Sequence, residues 1–355
     1  VQRPKENSSH VLPPPGALLA AVLSGFALLN GHSSVIAAFN QDPVPQDTPG
    51  KALAGAALDA AERRRVIDGA IANLKEYYVY PDVAQRMADA LRTHEKNGDD
   101  DAETDGALFA DTLTAQMRAV SHDRHLSLRY SPSRTPKRPS DGPTPEEMER
   151  YRQDMKRTNC SFEKVAILPH NIGYLKFNRF PDPAICQPTL QAAMKRLGDV
   201  DAIIFDLRDN GGGDPRMVAA VCSYLFDRRT HLNDIYNRRE NSTQEFWTSS
   251  PIPGNTLANK PAYVLTSAGT FSGAEEFCYD LKNLKRATLV GEPTAGGAHL
   301  VRDRWINEHF TIGVPFARAI NPISKKDWEG TGVEPDVKVD AAAALETAEK
   351  LAKSR

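Results

Sequence analysis

Apolar positions recur every three or four residues early in the chain and gather into short continuous runs later. That change of period divides the sequence. Val66, Ile67, Ala70, Ile71 and Leu74 fall on one face of a helix, and Val83, Met87, Ala90 and Leu91 on one face of another. Tyr80-Pro81-Asp82 separates them, with Pro81 placed to open the second helix. A third helix is predicted from about Gly106 to Val120. The spacing thus predicts a small helical bundle domain over 53–130, ending in Ser121-His122-Asp123-Arg124-His125-Leu126-Ser127-Leu128. Residues 131–164 open with a stretch rich in Pro, Ser and Arg and read as a linker.

Beyond it the pattern changes to buried strands at Ile172–Phe177, Ala202–Leu207, Ala262–Thr266 and Ala287–Val290. Helices are predicted at Pro215–Phe226 and Gly273–Leu284, with a β-rich tail through Val339 and a closing helix from Ala341 to Lys353. Strands alternating with helices predict a mostly parallel α/β domain over 165–355. In such sheets, sites gather beyond the carboxyl ends of the strands.

With 355 residues, 40% of them hydrophobic, the chain can bury one large core or two modest ones. A formal net charge of −2 and the lack of any basic block argue against nucleic-acid partners. At the N-terminus Arg3 and Lys5 precede an apolar run, Ala17 to Leu29, followed by small residues at Ala37 and Ala38. That order predicts a signal peptide over 1–38 and a flexible leader over 39–52. The expectation is a bacterial periplasmic or secreted protein with no stable membrane span after processing; an uncleaved anchor is the alternative. Cys160, Cys186, Cys222 and Cys278 have no metal-like spacing, so neither a metal site nor a cofactor is expected. Cys160 and Cys186 are candidates to pair in an oxidising compartment, and Cys222 and Cys278 read as buried thiols.

The candidate chemistry lies in turns that follow strands. Tyr263–Glu276 reads as strand, small-residue turn and helix start, with Ser272 at the helix N-terminus. A serine there is usually a cap, yet it also stands beside amide donors and the positive end of a helix. Asp206-Leu207-Arg208-Asp209-Asn210-Gly211-Gly212-Gly213-Asp214 is a glycine-rich turn without the spacing of a nucleotide site. A second such turn is Gly291–His299, and a third runs from Trp328 to Asp336.

As a set, and in this order, these motifs resemble those of the tail-specific, or C-terminal-processing, serine peptidase superfamily. Within it the likeness is to the branch of interphotoreceptor retinoid-binding protein and the tricorn protease core, over about Val66 to Val339. The resemblance implies a crotonase- or ClpP-like α/β catalytic domain behind the helical one, with Ser272 as nucleophile. Tail-specific members carry a lysine base where this chain has Gly297, and they insert a PDZ domain for which the segment between Tyr130 and Val165 is too short. Both absences fit the tricorn-like branch, which uses histidine as base and glutamate to orient it. Carried over, His125 is the base and Glu329 the orienting acid. Gly273 with Gly211 or Gly212 would form the oxyanion hole, and His299 would line the substrate pocket or itself be the base. Tricorn-like members place a serine where this chain has Arg124. The resemblance implies an exported serine endopeptidase, acting on peptides or unfolded protein through an acyl-enzyme. The retinoid-binding branch implies the alternative, a binding module for apolar ligands or peptides.

Overall fold

A computed structural model describes residues 57–137, 142–252 and 254–354. The expected signal peptide and leader lie outside the described residues. Three helices come first: α1 (Ala60–Tyr77), α2 (Pro81–Asn97) and α3 (Gly106–Ser121). Asp59 caps α1 by accepting from Glu62 N, Pro81 opens α2, and Asp105 caps α3. His122, in the left-handed region at φ 57°, ends α3 and turns the chain into β1 (Ser127–Tyr130). Next come α4 (Pro145–Arg157), β2 (Phe162–Leu168), β3 (Ile172–Phe177), α5 (Pro183–Arg196) and β4 (Ala202–Asp206). The chain continues through α6 (Pro215–Ser223), β5 (His231–Asn237), β6 (Ser242–Trp247), β7 (Ala262–Thr266), α7 (Gly273–Asn283) and β8 (Thr288–Gly291). It closes with β9 (His299–Trp305), β10 (Phe310–Ile320), β11 (Val337–Lys338) and α8 (Ala344–Lys353).

Six strands form one sheet in the order β11-β8-β7-β4-β3-β2. All its pairings are parallel except β2 with β3, a parallel core with one antiparallel edge. β4 and β7 are buried at every position, as strands covered on both faces must be. A second sheet runs β1-β10-β5-β6, with β9 on the other edge of β10.

That second sheet joins the helical part to the rest. β1 pairs antiparallel with β10, and Phe310, Ile312 and Val314 of β10 lie in the same apolar cluster as Val66, Leu74, Met87, Leu91 and Leu113 of the helices. The helical bundle therefore completes its core on a strand that lies some 190 residues further along the chain. Residues 131–164, read from sequence as linker, instead hold α4 and the start of β2. The Thr144–Glu147 capping box and Pro145 start α4, and that signal was hidden behind the Pro- and Ser-rich run. Cys160 and Cys186 form a disulfide, as expected, and Cys222 and Cys278 are buried thiols. Among the described residues no helix is long and apolar enough to cross a membrane.

Candidate active site

The two glycine-rich turns and the serine turn leave the carboxyl ends of three adjacent parallel strands, β4, β7 and β8. After β4, Asn210 organises the first turn. Its Nδ2 donates to Phe177 O at 2.8 Å, and its Oδ1 accepts from Gly212 N at 2.8 Å. Its backbone carbonyl accepts from Phe271 N at 3.0 Å, which ties this turn to the serine turn. A Cβ on Gly212 would lie 2.6 Å from Gly273 N and 2.8 Å from Ser272 Cβ, and φ is +95°. Only glycine fits so close to the serine.

Ser272 itself has φ 55° and ψ −121°. A non-glycine residue there costs roughly 1–3 kcal/mol and persists only where its surroundings hold it. Here they do: Ser272 N donates to Glu275 Oε2 at 2.8 Å, and Thr270 Oγ1 donates to Leu207 O at 2.8 Å. The strained turn presents the serine at the N-terminus of α7, as a nucleophile elbow does.

The oxyanion donors need correction. Gly211 N donates to Asn178 O at 3.1 Å and Gly212 N to Asn210 Oδ1, so neither amide is available to a substrate. Gly273 N donates to no described group, nor does Gly213 N, which lies 3.0 Å from where a Gly273 Cβ would sit. Of the three glycines in the run, Gly213 is thus the one whose amide is left without a partner among the described residues.

Glu275 braces the second glycine turn against the serine. Its buried carboxylate accepts from Thr294 Oγ1 at 2.5 Å, Gly296 N at 2.6 Å and Gly297 N at 2.8 Å, besides Ser272 N. Burial pushes this carboxyl up, against the four donors that favour its charged form. Trp328 Nε1 donates to Gly297 O at 2.8 Å and fixes the same residue from the other side. A Cβ on Gly297 would lie 2.3 Å from the Phe271 ring and 2.7 Å from His125 Cε1. The imidazole therefore occupies the room a side chain at 297 would need.

His125 is 5% exposed and stacks on Phe271, the residue before Ser272, with ring centroids 4.5 Å apart. Burial lowers its pKa to about 4, opposed by the charge of Asp123 and assisted by the charges of His299, Arg118 and Arg124. The ring is thus neutral, and base-competent, over the physiological range. Asp123 Oδ1 accepts from His125 N at 3.0 Å, while its Oδ2 accepts from Tyr78 OH at 3.1 Å and meets His299 Nδ1 at 2.6 Å.

Glu329 and His299 also stand differently from expectation. Glu329 Oε2 accepts from Ala298 N at 2.6 Å and lies 3.5 Å from His299 Nδ1, whereas its Oε1 and His125 Nδ1 have no hydrogen-bond partner among the described residues. The expected Glu329–His125 bond is not made; the bond that Glu329 accepts comes from Ala298 N. Burial pushes Glu329 up to about 7, with the His299 charge pulling it down and the Asp123 charge pushing it up. His299, expected to line a substrate pocket, is 3% exposed and packs edge-on to Tyr80. Burial would lower its pKa, but the bond to Asp123 and the charges of Asp123, Glu329 and Asp327 raise it overall. Asp123, His299 and Glu329 offer ligand atoms within 4.8 Å of one another. The 2.6 Å Asp123–His299 contact is a hydrogen bond, shorter than the roughly 3.3 Å edge of a tetrahedral metal site with bonds near 2.0–2.1 Å.

Sequence reasoning did not anticipate the Asp123–His299 contact, the bonds that Glu275 accepts from the second glycine turn, or the free amide of Gly213. Each had a signal: the Asp-x-His spacing, the glutamate three residues after the serine, and the third glycine of the run.

An α/β sheet with a strained serine elbow and a histidine from a preceding helical region defines the serine hydrolase class. Residues 171–339 match Peptidase family S41, and residues 52–169 match the N-terminal domain of Peptidase S41 in eukaryotic IRBP. The chain belongs to peptidase family S41. Carboxyl-terminal-processing peptidase 2 of Arabidopsis thaliana is 30% identical over 46% of this chain and 31% of its own length. The carboxyl-terminal-processing protease of Synechocystis is 26% identical over 48% of this chain and 38% of its own. The chain thus spans about a third of the length of these curated relatives. A putative peptidase from Parabacteroides merdae shares the fold at a TM-score of 0.57 and 17% identity, over 82% of this chain and 96% of that one. The tricorn protease does so at 0.50 and 13%, over 82% of this chain and 36% of that one.

Proposed function

We propose that the chain is a serine peptidase that hydrolyses peptide bonds through an acyl-enzyme, with Ser272 as nucleophile and His125 as general base. The observation that carries this reading is the packing at Gly297: the neutral His125 ring fills the space beside the serine turn where related peptidases carry a lysine. His125 takes the Ser272 proton as Oγ attacks the substrate carbonyl. The amides of Gly273 and Gly213 and the α7 N-terminus receive the oxyanion. Collapse expels the amine, which takes the proton from His125, and water repeats the sequence on the ester. A base at about 4 is a weak one, so the imidazolium that forms needs a carboxylate. Asp123 is the acid whose charge favours it; Glu329 acts from behind His299.

The substrate class is a peptide or an unfolded protein, bound without a cofactor. Export to an oxidising compartment is part of the reading, supported by the Cys160–Cys186 disulfide.

Fluorophosphonate labelling tests the reading. The wild-type chain should label at Ser272 and cleave an unstructured protein such as casein. Ser272→Ala should do neither while keeping its circular dichroism, with turnover down by several orders of magnitude. Cleavage undiminished in Ser272→Ala would refute the assignment. A correctly folded wild type that neither labels nor cleaves would point to a binding module.

A further inference from the structure

Behind the base lies a buried group that the proposed chemistry does not use. His299 begins β9 and is buried, with Nδ1 on Asp123 Oδ2 at 2.6 Å and Nε2 without a hydrogen-bond partner among the described residues. Asp123 in turn holds the His125 backbone through its other oxygen, at 3.0 Å. One carboxylate therefore joins the two histidines. Remove the His299 donor and Oδ2 keeps only the longer bond from Tyr78 OH, so Asp123 is held less firmly beside His125.

We propose that His299 is a positioning residue: it fixes Asp123, which holds His125 at the serine turn and balances the charge that His125 gains in the reaction. This rests on His125 being the base. The arrangement has a direct electrostatic consequence. The Asp123 carboxylate between the rings favours a charge at 125, while any charge on the 299 ring opposes it. The groups facing His299 are Asp123, Glu329, Asp327, Tyr80 and His125, with Arg318 opposite on β10. Those facing His125 are Asp123, His299, Arg118 and Arg124.

Two substitutions separate positioning from packing. Asn keeps a donor near the place of Nδ1 but no charge, whereas Phe keeps the bulk alone. His299→Phe should lose roughly 10–100-fold in kcat with KM little changed, a part of the 10²–10⁴-fold a general base supplies. His299→Asn should recover most of that loss but carry the acid limb of its kcat/KM profile upward by about one pH unit, as removal of a nearby like charge does. The ring titration of His125, followed by nitrogen-15 NMR without substrate, should move the same way, and it can be read even if the chain proves not to be a peptidase. An unmoved His125 titration in His299→Asn overturns the inference. So does a His299→Phe variant that is folded and fully active. If His299→Asn is dead while His125→Ala still cleaves, His299 is itself the base, and the assignment of His125 falls as well. Should His299→Phe fail to fold, the Asn titration alone decides.

Discussion

Ser272 and Gly297 are two sides of one arrangement, and both were legible because each sits in a short local motif. The partners were not. Asp123 meets His299 across 176 positions, and Glu275 reaches Gly297 across 22, contacts that only the folded sheet creates. The same reason hid which amides of the glycine run stay free, since that depends on Asn178 and Asn210 being near enough to use the others. Gly297 offers the sharpest residue-scale prediction. Adding one methyl there forces Phe271 and His125 apart, since the new carbon would lie within 2.7 Å of both rings. Gly297→Ala should stay folded and lose on the order of 10–100-fold in kcat, because a displacement of about 1 Å is enough for that. Wild-type turnover in this variant would show that the ring contact does not set the base. A second prediction follows from burial of His125. Its pKa near 4 keeps the base neutral far below the usual histidine range, so kcat/KM should hold through mildly acidic pH and fall only as pH drops towards 4. A limb near 6.5 in the free enzyme would mean that the ring is solvated in solution.

At the scale of elements, the strands that read best are those buried on both faces. Ile172–Phe177 and Ala262–Thr266 begin and end where the sequence predicts, since a continuous apolar run flanked by turns admits few other readings. The β5–β6 hairpin gave no such signal, because β6 exposes Ser242, Thr243, Gln244 and Glu245 in succession at the sheet edge. The helix carrying the serine holds a different surprise, two buried acids one turn apart. Glu276 is 4% exposed and Asp280 is fully buried. Burial pushes Glu276 up to about 8, eased by Asn233 and aggravated by the charge of Asp214, and Asp280 is raised with it by burial and by Glu276. The folded chain therefore keeps a proton on Glu276 that the unfolded chain has lost above its ordinary value of 4.5. The contribution of Glu276 to stability therefore falls as pH rises from about 4.5 to about 8. Glu276→Gln removes that slope. Its melting temperature should match wild type at pH 4 and exceed it at pH 8, by about 1.5 °C for each kcal/mol relieved in a chain of this size. Equal melting temperatures at both pH values would mean that the carboxylate finds a partner when charged.

Over the whole molecule, the helical region and the α/β layer work as one body at the site, because the loop that carries His125 leads straight into β1 and β1 is paired to β10. The sequence shows two domains by period, yet period cannot show that Phe310, Ile312 and Val314 belong to the core of the first. On the far side of the serine, a covalent link does a comparable job. The Cys160–Cys186 disulfide, with a sequence separation of 26, ties the segment after α4 to α5. Ser161 O accepts from Asn178 N, and Asn178 O accepts from Gly211 N, so the link lies three residues of contact away from the glycine turn beside Ser272. Closing a loop of that length stabilises by roughly 3–4 kcal/mol in the chain-entropy picture. Cys160→Ser together with Cys186→Ser should accordingly melt about 5–6 °C lower than the oxidised wild type, at about 1.5 °C per kcal/mol for a chain of this length. Added reductant should lower the wild type towards the double variant and leave the variant itself unmoved. If reductant lowers neither, the two thiols are not joined in the folded protein, and the argument for an oxidising compartment loses its structural support.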